Sequence, residues 1–170
     1  MSVGTWLKQD RHGVVAVRGA IGGVFAGAFF GAMNMWFAAD AGLPADTPLH
    51  VIATIVQDDA RFDAGTTSAT VGLVIHLFLS ISYGALFGLF AAELHSNLTR
   101  GLAAVFYGGA LYCLNFLVLA PAWYPIFQRV NQPLEGTVHL LFGALLIPFV
   151  VRWGTPAPAV APIVARTAGR

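Results

Sequence analysis

The sequence predicts an all-α fold: an integral membrane four-helix bundle built as a two-plus-two parallel internal repeat, with a short amphipathic surface helix between spans 1 and 2. Three observations predict it. Of the 170 residues, 57% are hydrophobic and 10% are charged, where a soluble domain carries about 25% charged residues. Mean hydropathy is +0.72. Four apolar runs are each long enough for a hydrocarbon core about 30 Å thick, and small residues recur in them at four-residue steps, stacking on one helix face. Residues 1–170 read as one membrane domain, with too little polar chain for a soluble catalytic module.

The first span covers about 14–39. Lys8, Arg11 and His12 before it resemble the charged front of a signal peptide, but the apolar run outlasts the roughly 7 to 15 residues of a signal core, so an uncleaved span is expected. Gly19, Gly23, Gly27 and Gly31 form a ladder that lets another backbone approach closely. Asn34 follows one turn on, surrounded by Met33, Met35 and Trp36.

The connection at 43–63 opens on turn chemistry, with Pro44, Asp46 and Pro48. From Leu49 to Phe62 the apolar residues Val51, Ile52, Ile55 and Val56 fall at helical spacing. This predicts a helix on the membrane surface, a packing lid over the bundle. His50 reads as a solvated surface residue there, as do His12 and His95 at the opposite end.

The second span, about 70–92, is unbroken by charge and stacks His76, Ser80, Gly84 and Gly88 on one face. The third, about 101–120, brings Gly101, Ala104, Gly108 and Asn115 close to one face and exits at Pro121, Trp123 and Tyr124. The fourth, about 136–152, carries His139 and Gly143, with Glu135 left on the connection and Pro148 expected to kink the inner end. The Pro-rich tail 154–170 is expected to be poorly ordered or laid against a partner.

Charge orients the spans. Lys8, Arg11, Arg18, Arg100, Arg152, Arg166 and Arg170 fall on one side, with Arg61 and Arg129 on the other. Excess cations face the cytoplasm, so both termini are expected to be cytoplasmic in a bacterial-type inner membrane.

A repeat emerges when the spans are laid side by side. Val24-Phe25-Ala26-Gly27 before Asn34 matches Val105-Phe106-Tyr107-Gly108 before Asn115, and His76 then Ser80 matches His139 then Gly143. At about 1.5 Å per residue, Asn34, His76, Asn115 and His139 all fall in the outer third of the core, forming a polar layer. Ser80, Tyr83, Tyr112 and Cys113 are its expected neighbours.

Four roles are open to that layer. The asparagines and histidines can satisfy one another and pin helix pairing. Haem b can be held between His76 and His139, since two histidines at matching depth suit a bis-His site. Copper can use His76 and His139 with the soft sulfur of Met33, Met35 and Cys113. A small oligomeric transporter or channel can use His76 as its titrating group. No nucleophile with a base, carboxylate pair or phosphate loop stands at usable spacing, so nothing nominates an enzyme. The net charge of +1 without a basic patch gives no case for nucleic acid. Cys113 is the sole cysteine and forms no internal disulfide.

The four-span layout, with His76 and the His139-Leu-Leu-Phe-Gly143 segment opening alternate spans, resembles the small bacterial inner-membrane proteins grouped as YagU-like and related uncharacterised families. The resemblance covers about Val14 to Val151 and implies a four-helix inner-membrane protein with no catalytic residues to carry over. The functional expectation is a non-catalytic accessory or scaffolding subunit of a larger, energy-transducing membrane complex. Its contacts would be membrane lipid and either other integral membrane subunits or further copies of itself.

Overall fold

A computed structural model describes residues 3–153, with side chains from His12 onward. Among the described residues the regular structure is all helical, with no strands. Four of its helices are long and apolar enough to cross a membrane, over His12–Asp40, Ala69–Glu93, Asn97–Trp123 and Gln132–Val150. The first belongs to a longer helix, α1 (Val3–Asp40). It is followed by α2 (Thr47–Gln57), α3 (Asp59–Asp63) and α4 (Ala69–Glu93). The third long stretch is composite: α5 (Asn97–Tyr112), a π-helical segment (Cys113–Leu119) and α6 (Ala120–Trp123). A 3₁₀ turn (Pro125–Gln128) leads to α7 (Gln132–Val150).

Local chemistry explains the boundaries. Ser68, Ser96 and Asn131 are N-caps whose side chains accept from the backbone N–H of Val71, Thr99 and Leu134. Asn131, together with Pro133 in the first turn, starts α7 well before Gly136. The sequence places 132–135 in a connection; the cap moves them into the helix, and Glu135 with them. At Pro148 the helix runs on to Val150. The proposed tail at 154–170 lies outside the described residues.

The π segment leaves one carbonyl to be satisfied from outside the helix. Ala120 N–H bonds to the Asn115 carbonyl, five residues back, and in that register the Phe116 carbonyl would look to residue 121. That residue is Pro121, which has no N–H to give. Gln128 supplies the missing donor, its Nε2 bonding the Phe116 carbonyl at 2.9 Å.

The long helices pack in two antiparallel pairs, α1 with α4 and α5 with α7, joined where α1 also lies along α7. The glycine ladders are consumed inside these pairs. A methyl group at Gly19 would run into the Gly84 carbonyl, one at Gly23 into the Ser80 carbonyl, and one at Gly88 into Val15. In the other pair, Gly108 lies on the His139 backbone and Gly143 on that of Ala104. Backbone contact of this kind replaces the hydrophobic drive that lipid cannot supply. Phe87, Ala91, Ala104, Phe142, Leu146 and Val150 form much of the buried core.

The two ends differ. At the end where α4 hands over to α5, Arg100 is 1% exposed. Its guanidinium donates to the Leu94 carbonyl at the end of α4 and the Val150 carbonyl at the end of α7, while Arg18 donates to Val151. Cations on helix C-terminal carbonyls are favourable. At the opposite end α2 lies on the start of α4, so closely that a side chain at Gly72 would collide with the Leu49 carbonyl. Asp59 accepts from the Ile126 N–H at 3.1 Å and Asp63 pairs with Arg129 at 2.9 Å, tying the two connections together.

Candidate functional site

Beneath α2 lies a cavity of about 870 Å³, open to the outside on part of its boundary. That volume is within the roughly 300 to 1,000 Å³ of small-molecule sites. Its walls are mainly apolar, drawn from α1, α4, the π segment and α7, and its roof includes Val51, Ile55 and Phe62. Asn34, His76, Asn115 and His139 all line it, so the four residues of the sequence-derived layer surround one space. They do not satisfy one another. Asn34 Nδ2 donates to the Phe30 carbonyl one turn back, at 3.3 Å. Asn115 Oδ1 accepts from the Tyr83 hydroxyl at 3.1 Å.

The two histidines are bonded differently. His76 Nε2 donates across the helix pair to the Gly27 carbonyl at 2.8 Å, so a neutral ring keeps Nδ1 as an acceptor. His139 Nδ1 donates within its own helix to the Glu135 carbonyl at 2.7 Å, which leaves Nε2 with no hydrogen-bond partner among the described residues. Phe30, Tyr112 and Phe116 set ring edges around the His139 imidazole at centroid separations of 4.9, 5.9 and 5.4 Å.

Glu135 also lines the cavity and is 6% exposed. Among the described residues its Oε2 is buried without a hydrogen-bond partner, and the nearest cationic candidate is His139 Nδ1 at 4.0 Å. That ring proton already belongs to the Glu135 carbonyl. Sequence reasoning missed this residue because it assigned 135 to a connection. The readable signal was the Asn131-x-Pro133 start, which brings Glu135 and His139 onto one helix face four residues apart.

The arrangement does not fit haem b between His76 and His139. Phe30 is in ring contact with both imidazoles, at 5.7 and 4.9 Å, where a porphyrin would have to lie. The His76 Nε2 is also spent on Gly27. The copper set is not assembled either, since Met33, Met35 and Cys113 are absent from the cavity wall and Cys113 is exposed. No group of three or more His, Cys, Asp or Glu side chains is gathered for a metal among the described residues. His50, expected on the surface, is half-buried and hydrogen-bonded to Thr67 at 3.0 Å.

The cavity borders a seam. α4 and α5 meet only sparsely, and tyrosines bridge them: Tyr107 donates to the Tyr83 carbonyl at 2.9 Å, and Tyr83 to Asn115. On the α2 side of that bridge, Ile75 and Leu79 face the cavity from α4, and Asn115 and Leu119 from the π segment.

By length and composition, four such helices define a multi-pass membrane class. Comparison of the chain with protein-family models, curated proteins and solved structures gives no match.

Proposed function

We propose that this chain is a non-catalytic, multi-pass protein of a bacterial-type inner membrane that holds a lipid-like small molecule in the cavity under α2. The observation that carries the reading is the cavity itself: about 870 Å³, apolar walls, a few convergent polar groups and a border on the α4/α5 seam. Such a site suits a ligand arriving from the bilayer. Cation placement supports cytoplasmic termini, which puts the cavity in the outer half of the membrane. The internal repeat is supported by matched contacts, since Gly27 lies against His76 and Ser80 as Gly108 lies against His139 and Gly143.

The test is what the purified protein carries. Solvent extraction and mass spectrometry should recover about one lipid-like molecule per chain. Ala38→Phe, which projects a ring into the cavity from a position 6% exposed, should displace it. Equal recovery from both proteins would overturn the reading.

Membership of a larger assembly, as an accessory or scaffolding subunit, is part of the proposal. Between the spans only the 41–68 connection is long, and α2 within it packs on α4, so little of the described chain stands outside the bundle to act alone. The glycine ladders do not argue for partner helices, because they are used within the chain. Recovery of a lone monomer after mild solubilisation of native membranes would remove that part.

A further inference from the structure

We infer that the cavity selects an amphiphile whose head is a hydrogen-bond-donating ammonium, placed against the Glu135 carboxyl, with its chains leaving through the α4/α5 seam. This rests on the lipid-binding reading and adds the chemistry of the head.

Several acceptors face the cavity, and among the described residues no arginine or lysine on its wall is turned to them. His76 keeps Nδ1 and His139 keeps Nε2 as lone pairs, and Asn34 has spent a donor on Phe30 and has its oxygen left. The Glu135 carboxyl has an oxygen buried without a partner. Against them stand the Asn115 and Asn131 amides, the second Asn34 N–H and the Ser80 and Tyr124 hydroxyls, all of them neutral donors. Arg129, the one arginine or lysine on the cavity wall among the described residues, is paired with Asp63 at the rim. A buried carboxyl with no partner is costly, more so inside a membrane, and an ionisable group there points to a bound or moving charge. An ammonium supplies the counter-charge and up to three N–H donors. A head without N–H or O–H donors would leave these acceptors unpaired, and an anionic head would add like charge beside the buried carboxyl without supplying its counter-charge.

Depth agrees. Glu135 is in the first turn of α7, about 4 to 5 Å from the helix start at about 1.5 Å per residue. That is the level of lipid heads, under the α2 roof. Ile75 and Leu79 on α4 and Leu119 on the π segment give the cavity apolar walls on both sides of the seam, where chains would run. Ser80 and Tyr83 close the space below them.

The experiment uses dioleoyl lipids that differ only in the head. Full-length protein in maltoside is mixed with equal amounts of phosphatidylethanolamine, its N-monomethyl and N,N-dimethyl derivatives, phosphatidylcholine and phosphatidylglycerol, and retained lipid is counted by native mass spectrometry. Retention should fall as N–H donors are methylated away, with phosphatidylethanolamine favoured over phosphatidylcholine by roughly tenfold, the scale of one charge-assisted hydrogen bond. Glu135→Gln, which keeps the side-chain shape, should flatten the series and still retain lipid. The methylation series on the unaltered protein stands even where the variant fails to fold. One lipid retained with no preference among heads would overturn the ammonium inference and leave the cavity reading intact. No lipid retained from any class would overturn both.

Discussion

The α1/α4 and α5/α7 pairs use the same materials for different ends. In both, a glycine lies against a histidine and the small residue four places after it: Gly27 on His76 and Ser80, Gly108 on His139 and Gly143. In the first pair the imidazole reaches across and bonds the partner backbone, so His76 belongs to the joint. In the second the imidazole turns back onto its own helix, and a carboxyl four residues earlier shares its environment. Sequence likeness therefore does not make the two histidines equivalent. His76 secures a helix pair, whereas His139 is held by its own helix beside Glu135 and keeps Nε2 unspent.

Glycine is where the two pairs should behave alike, and there the largest effect is expected. Gly84→Leu and Gly143→Leu each drive a side chain into the facing backbone. Either should cost about 3 kcal/mol or more, beyond typical overpacking because backbone cannot yield as side chains do. Unfolding in mixed micelles would measure it, and a variant as stable as the parent would break the description of that pair.

Histidine substitution separates the pairs. His76→Ala should lower stability by about 0.6 to 2 kcal/mol, the range for an interhelical bond in a membrane. His139→Ala should lower it less and reduce lipid retention more. Combined, the two should depart from additivity by about 0.5 kcal/mol or more, because both imidazoles rest on Phe30; strict additivity would mean that Phe30 does not link them.

The smallest effect is expected at the roof. Arg129 and Asp63 are both well exposed, so Asp63→Asn should change stability by about 1 kcal/mol or less. Faster exchange of amide hydrogens in 47–63, with the spans unchanged, would show that this pair holds the roof and not the helices.

The four spans were legible because composition and length decide membrane crossing almost without context. The glycine ladders were legible because four-residue spacing is a geometric statement about one face. Three features were not. The start of α7 depends on a cap, Asn131, that precedes the apolar run and carries no hydrophobic signal. The π segment leaves the Phe116 carbonyl without a donor, since Pro121 has no N–H, and Gln128 supplies one from another turn of chain. Use of the ladders also depends on which helices meet. Gly19 and Gly84 read equally well as sites for foreign helices, and only the fold shows that they face each other.

The two bonds from Asp59 and Asp63 to the chain at 126–129 also impose an order in time. Their donors lie beyond the third span, so while the chain is being made the α2 and α3 segment can fold against α4 but has nothing to fasten to. Fastening waits for the second hairpin to enter the membrane. A protease-accessible 58–63 segment in a chain truncated before residue 124, and a protected one in the full chain, would mark the point in synthesis at which the roof is fastened.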